Sequence, residues 1–168
     1  RIELPTVGDW VELDGAEDAG ATMIRRVLPR TGVLIRKQPG KETEAQPIAA
    51  NVDTVCIVLA LDYPRNHHPR SVERYLTAVW DSGARPVIVL NKADLSEDPE
   101  AARASIECAA PGVEIVVASC ATGEGVTAVT ELFDPASTIV LLGRSGVGKS
   151  SLLNVLAGET VTAVGDVR

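Results

Sequence analysis

Aromatic side chains are scarce. One phenylalanine, two tyrosines and two tryptophans occur among 168 residues, too few for a surface that recognises nucleic acid by stacking on successive bases. Long apolar runs are missing too. No stretch free of charged residues exceeds nine positions, well short of the roughly 20 residues an α-helix needs to cross a bilayer, and no secretory signal pattern opens the sequence. The three cysteines, Cys56, Cys108 and Cys120, lack metal-ligand spacing. Two of them fall in apolar strand-like segments, so reduced thiols in a cytoplasmic protein with no membrane partner are expected. Positive charge is in deficit, 16 Lys and Arg against 23 Asp and Glu for a net charge of −7, which argues against a general nucleic-acid binder. With 45% hydrophobic and 23% charged residues, disorder, collagen and coiled coil are poor readings. The length suits one domain, or one domain with a small appendage.

The charge is unevenly spread. Between Met23 and Lys41 stand Arg25, Arg26, Arg30, Arg36, Lys37 and Lys41 with no acid, whereas residues 9–18 carry five acids and no base. The basic run is either a phosphate-contacting face or simply a solvated pair of strands.

Two zones follow along the chain. Residues 1–50 hold short β-like runs broken by Gly and Pro: Val7–Leu13 alternates at the period of a half-buried strand, Ala21–Leu28 and Gly32–Lys37 read alike, and Pro29 to Thr31 form a turn between them. Such a zone resembles part of a small β-barrel with too few strands to close alone. From residue 51 to 168 the rhythm becomes strand, helix, strand, helix. Asp53–Leu61 and Val87–Leu90 are buried strands, and Val113–Ala118 and Thr138–Leu142 are two more. Helices are expected over Pro69–Ser82, ended by Gly83, over Pro99–Ala110 and Val126–Phe133, and over Lys149–Ala157, closed by Gly158. This alternation predicts an α/β fold, a parallel sheet with helices on both faces, in which ligands bind at the carboxyl ends of the strands.

The motifs fall at those ends. Gly143-Arg144-Ser145-Gly146-Val147-Gly148-Lys149-Ser150 matches the P-loop pattern G-x-x-x-x-G-K-[ST], after an apolar strand and opening a helix. In that context the inward-facing amides and the helix N-terminus bind phosphate. Lys149 reaches the β- and γ-phosphates, and the Ser150 hydroxyl ligates Mg²⁺. The bland alternative is a Gly-rich turn between strand and helix.

Asn91-Lys92-Ala93-Asp94 ends the second buried strand. Alone it is a polar turn; beside a P-loop it resembles the N-K-x-D guanine motif of GTPases. A carboxylate such as Asp94 accepts from both guanine N1–H and the N2 amino group, whereas adenine has no N1–H. Charge-assisted hydrogen bonds of this kind are worth roughly 1.5–3 kcal/mol each. Asn91 would brace neighbouring loops, and the Lys92 stem would cover a face of the base. Ser119-Cys120-Ala121, one strand later, resembles the weaker loop whose backbone amide meets the guanine O6. His67 and His68 precede a helix and read as exposed loop histidines, not catalytic groups.

The order of these motifs, N-K-x-D then S-C-A then P-loop, is a circular permutation of the common GTPase order, the same sheet with the chain cut elsewhere. Together with V-G-D-W-V at 7–11, Gly143–Ser151 (GRSGVGKSS), Ile48 to Asp53, Glu73 to Leu76 and PVIVLNKADL at 86–95, it is similar to the ribosome small-subunit-dependent GTPases of the RsgA (YjeQ/EngC) family. That resemblance implies an N-terminal OB-fold, here the incomplete residues 1–50, a permuted GTPase domain over 51–168, and a zinc-binding C-terminal domain whose Zn²⁺ ligands do not occur in these residues. It implies GTP and GDP as ligands with Mg²⁺, hydrolysis stimulated by the small (30S) ribosomal subunit, and contact with 16S rRNA, for which the basic run Arg25 to Lys41 is the candidate. A monomer is expected. The nucleotide-binding set carried over is Asn91, Lys92, Ala93 and Asp94, Ser119 to Ala121, and Gly143 through Ser151. Neither the switch I threonine nor a D-x-x-G switch II motif occurs in residues 1–168, so no catalytic residue can be named; Gly165 to Arg168 looks like the approach to switch I.

Three rivals stand beside this reading: a permuted GTPase acting on the large subunit, an ATP-dependent kinase or ATPase, and a non-hydrolysing GTP- or RNA-binding module. The barrel segment disfavours the first, and Asn91 with Asp94 disfavours the second.

Overall fold

The computed structural model describes residues 4–14, 22–37, 45–134 and 136–161. Its centre is a four-stranded parallel sheet in the order β7-β6-β5-β8, formed by β5 (Thr54–Ala60), β6 (Arg85–Asn91), β7 (Glu114–Val117) and β8 (Ile139–Leu142). Every residue of β5 is buried, as its unbroken apolar run requires of a strand covered on both faces. Alternation divides the strand between two cores. Val55, Ile57 and Leu59 join Ile88, Leu90, Val72 and Leu76 of α1 (Pro69–Ser82) and Ile106 of α2 (Pro99–Ala109). Cys56, Val58 and Ala60 face the other way, with Val129 of α3 (Val126–Glu131) and Leu152 of α4 (Lys149–Ala157). Two helices therefore cover each face, which is the α/β architecture the alternation predicts. Burial pushes the Cys56 thiol up to about 12, so it is an inert core group.

The helices begin and end where their sequence says. Pro69 opens α1 behind a His68 side chain that accepts from the Arg70 amide at 3.2 Å, and the helix stops at Gly83. Pro99 opens α2 behind Asp98, whose carboxylate accepts from the Ala101 amide at 2.9 Å. His68 is thus an exposed helix cap. His67 departs from the expectation of an exposed loop residue: it is half-buried, with Nδ1 3.2 Å from the Ala60 carbonyl oxygen.

The β-rich lead forms two antiparallel pairs, β1 (Val11–Asp14) with β2 (Met23–Val27) and β3 (Val33–Lys37) with β4 (Ala45–Ala50). Residues 7–10, expected as the start of the first strand, lie before β1 in a turn and extended chain. Strand β4 has no counterpart in the sequence reading. Its Pro47 lacks a donor for the ladder, and the pairing shifts register between Leu34 and Ile35, opposite that proline. Leu4, Val7, Trp10, Leu13, Met23 and Ile24 are exposed, so these pairs do not enclose a core of their own.

The lead is nevertheless joined to the sheet domain. Leu34 of β3 is 1% exposed and packs into the same core as Val72, Leu76 and Val79 of α1. Gly32 lies so close to the end of α1 that a Cβ there would stand 2.3 Å from the Ser82 carbonyl oxygen. Asn51, at the junction, accepts from the Thr31 amide and donates to the Gly8 carbonyl oxygen, each at 2.9 Å.

Candidate nucleotide site

The strand order sets the site. β8, last in sequence of the four described strands of this sheet, lies beside β5, held at its start by the Asp53 carboxylate accepting from the Thr138 amide at 2.7 Å. The ends of β5, β6, β7 and β8 consequently gather 61–68, 91–95, 118–125 and 143–149 at one edge of the sheet. This is where parallel α/β sheets place ligands.

Asn91 is the hub. It is 2% exposed. Its Nδ2 donates to the Val147 carbonyl oxygen at 3.0 Å, and its Oδ1 accepts from the Cys120 amide at 3.2 Å. One side chain therefore fastens the end of β6 to both the P-loop and the Ser119–Ala121 loop, the bracing role its position suggested. The approach is tight: at Gly148, where φ is +95°, a Cβ would stand 2.2 Å from Asn91 Nδ2.

Asp94 is exposed, in the middle of the short 3-10 turn Ala93–Leu95 that follows β6. Its Oδ1 accepts from the fully buried Ser119 hydroxyl at 2.5 Å, and the Ser119 oxygen in turn accepts from the Thr122 amide at 3.2 Å. Ser119 thus orients the carboxylate, a more definite role than the S-C-A resemblance alone supplied. Ala93 is buried, and its amide donates to the Ala118 carbonyl oxygen at 3.1 Å, tying the two loops by backbone. Cys120 is half-buried, its thiol raised by burial, and Ala121 is exposed.

In the P-loop, Arg144 and Ser145 are exposed and Val147 is buried against Leu152, which anchors the loop to the core. Gly143, Gly146 and Gly148 all have positive φ. The Lys149 ammonium lies across the loop, donating to the Gly143 and Arg144 carbonyl oxygens at 3.0 and 2.7 Å. Burial holds it below the ordinary lysine range. Ser150 and Ser151 are half-buried in the first turn of α4. Oxygen donors such as the Ser150 hydroxyl suit a hard cation. No group of three or more His, Cys, Asp or Glu able to hold a metal occurs among the described residues.

Sequence reasoning missed one partner. Lys92, whose backbone is left-handed at φ 62°, places Nζ 2.8 Å from the Asp62 carboxylate. Asp62 is the first charged residue beyond the apolar run of β5, a signal that gives its place at the strand end but not its pairing 30 residues along the chain.

Three members of the basic run, Arg25, Arg26 and Arg30, are engaged. Arg25 and Arg26 both pair with Glu12, the former at 3.4 Å. Arg30 makes a two-point contact with Asp9, each bond 2.7 Å, with the Asp9 side chain 1% exposed. Arg36 and Lys37 lie on β3, and Lys41 falls outside the described residues. Asp9 and Glu12 thus face three of the bases that follow them in sequence.

Comparison with known proteins agrees with this geometry. A family model described as "RsgA GTPase" matches residues 27–168. A protein of Syntrophotalea carbinolica named "Small ribosomal subunit biogenesis GTPase RsgA" is 43% identical over 164 residues, covering 92% of this chain and 43% of that protein. A Listeria monocytogenes protein named "Small ribosomal subunit biogenesis GTPase RsgA 2" is 44% identical over 165 residues, covering 98% of this chain and 45% of its own length. The chain thus spans under half the length of these relatives. Among solved structures, YjeQ from Thermotoga maritima superposes with a TM-score of 0.71 at 29% identity, over 92% of this chain and 51% of that one. With its P-loop, its N-K-x-D turn and the P-loop strand, which follows the other three strands of the sheet in sequence yet lies beside β5, the chain belongs to the RsgA GTPase family.

Proposed function

We propose that this chain is the guanine-nucleotide-binding portion of a cytoplasmic GTPase that acts in late maturation of the small (30S) ribosomal subunit, converting GTP to GDP and phosphate. The observation that carries the reading is the Asn91 side chain, which ties the P-loop and the Ser119–Ala121 loop to the strand end bearing Asp94. A phosphate-binding loop and a base-reading carboxylate are thereby set in one rigid frame.

Each residue has a role in that frame. Asp94, oriented by Ser119, would accept from the two donors on the guanine edge, and Lys92 would lie along a face of the base. Glycines 143, 146 and 148 leave backbone amides free to approach phosphate. Lys149 would exchange its two carbonyl partners for phosphate oxygens, a favourable trade because a charged acceptor binds an ammonium more strongly than a neutral one. Its lowered proton affinity does not prevent this, since anionic phosphate restores the charged form. Ser150 would ligate Mg²⁺, which supplies charge neutralisation at the phosphates when bound.

The remaining expectations belong to the same reading. The small ribosomal subunit and its 16S rRNA are the proposed partners, the protein is a monomer, and Zn²⁺ belongs to a C-terminal domain like that of the family. Of the described members of the basic run, Arg25 and Arg26 are exposed, and their guanidinium groups would divide between Glu12 and RNA phosphate. Arg30 serves better as an internal tie to Asp9. The deciding experiment is nucleotide binding and turnover with and without small ribosomal subunits. Preference for GDP over ADP, with turnover raised by the subunit, supports the reading. Equal affinity for both bases would remove it, and guanine preference without turnover would favour a binding module.

A further inference from the structure

Lys92 sits between the two residues that define the base pocket, Asn91 and Asp94, and its ammonium is not left to solvent. It meets Asp62 Oδ2 at 2.8 Å, with side-chain exposures of 21% for the lysine and 12% for the aspartate. The other carboxylate oxygen, Oδ1, accepts from Asn66 Nδ2 at 2.6 Å. Asn66 closes the 3-10 turn Pro64–Asn66, its own amide donating to the Tyr63 carbonyl oxygen at 2.9 Å. Both oxygens are therefore occupied and the plane of the carboxylate is set. Behind it, the Leu61 amide donates to the Asn91 carbonyl oxygen at 2.9 Å, so the chain ends that carry the aspartate and the lysine are fastened side by side. Burial pushes the Asp62 carboxyl up, but the hydrogen bonds from Lys92 and Asn66 outweigh it and hold the group below the usual carboxylate range.

Stability is a weak reason for such a pair. Withdrawing two charges from water offsets much of their attraction, and a lysine at a loop could keep its ammonium hydrated at no such cost. What the pair does achieve is geometric. A lysine stem has four rotatable carbons and, untethered, samples many rotamers. Anchored at Nζ and held by a left-handed backbone at φ 62° and ψ 39°, it is fixed at both ends. Because this argument rests on the guanine-site reading, the stem is the wall against which the purine would lie.

We propose that Asp62 is a positioning residue of the base pocket: by fixing the Lys92 ammonium it pre-forms the aliphatic wall that packs on the guanine ring. Asp62 itself touches no nucleotide. Its contribution is common to GDP and GTP, because it concerns the base and not the phosphates, and it vanishes when Lys92 is absent.

The test is equilibrium binding of fluorescent GDP and GTP analogues, competed with ADP, to the intact protein and to the variants Asp62→Ala, Asp62→Asn, Asp62→Glu, Lys92→Ala and the double variant Asp62→Ala/Lys92→Ala. Asp62→Ala is expected to weaken GDP and GTP by the same factor, about 5- to 20-fold, in line with couplings measured between contacting groups. Asp62→Glu, which keeps the charge, should recover most of that loss. In the Lys92→Ala background, removing Asp62 should change affinity no further. Unfolding midpoints accompany each variant, and Asp62→Asn, which keeps the shape and the acceptor oxygen, stands in if the alanine variant fails to fold. An equal loss with and without Lys92, or unchanged GDP affinity in every Asp62 variant, overturns the proposal while a wild-type preference for GDP over ADP keeps the guanine site. A wild type that binds ADP as well as GDP overturns both.

Discussion

The closeness of Gly148 to Asn91 allows a prediction with a definite sign. Substituting Gly148 with alanine alone imposes two costs. The backbone at φ +95° suits no side chain, which costs roughly 1–3 kcal/mol for a non-glycine residue held in a sparsely populated region. The new Cβ would also stand 2.2 Å from Asn91 Nδ2. That amide cannot swing aside freely, because the same side chain is held by Val147 and Cys120. Displacing it leaves buried polar groups unpaired at about 1–3 kcal/mol, so Gly148→Ala should cost about 2–6 kcal/mol in all. Asn91→Ala alone abandons the Val147 carbonyl and the Cys120 amide and should cost about 2–4 kcal/mol. In the double variant the alanine at 148 has no amide to strike, so of its own cost only the backbone strain is added to that of Asn91→Ala. The combined loss should therefore fall short of the sum of the single losses by about 1–3 kcal/mol. Urea unfolding of the wild type and the three variants measures this cycle, with unchanged m-values confirming comparable end states. Additive costs would refute the reasoning, since they would mean that the P-loop and the N-K-x-D turn do not share this contact.

Further outcomes follow from the same geometry. Asp94→Asn should weaken guanine nucleotides about tenfold or more and favour xanthine nucleotides, whose 2-oxygen accepts where the guanine amino group donates; competition binding with GDP and XDP checks it. Leu34→Ala removes a side chain 1% exposed from the core shared with α1 and should cost about 2–4 kcal/mol. Amide exchange would then rise in β3 and β4 before it rises in β5 and β6. The Arg30 hydrogen bonds hold the Asp9 carboxyl below its usual range. Its contribution to stability is thus present above the unfolded carboxylate value near 3.9 and is lost as the pH falls through the lower folded value. Acid titration followed by far-UV circular dichroism should show Asp9→Asn to be less stable at pH 7 than the wild type, with the difference narrowing below about pH 4.

Helix α1 shows how far local sequence reaches. Pro69 at its start, Gly83 at its end and Val72, Leu76 and Val79 at helical spacing specify Pro69–Ser82 with no reference to the rest of the chain, and the helix has those bounds. The same holds for α4, and the apolar run of β5 is long enough to be read as doubly covered, the strand being one residue shorter at each end than expected. The P-loop and the N-K-x-D turn were legible for a related reason: each is a contiguous pattern of residue types that is read within a few positions, although the partners of its side chains are not.

Strand β4 was not legible, because Pro47 argues locally against a strand and only the shifted pairing with β3 accommodates it. The partners of the basic run were hidden for the complementary reason. Counted along the chain it is unopposed, yet strand pairing brings Glu12 to Arg25 and Arg26, and the fold of the lead brings Asp9 to Arg30. Asp62 and Lys92 belong to the same class, being 30 residues apart and neighbours only because β5 and β6 are adjacent parallel strands. Sequence by itself determined the periodicities, the turn chemistry and the motifs, all set by forces acting over a few residues. Tertiary structure decided which charges neutralise one another and which loops share a side chain, because Coulomb attraction and hydrogen bonding act through a few ångströms of space and take no account of distance along the chain.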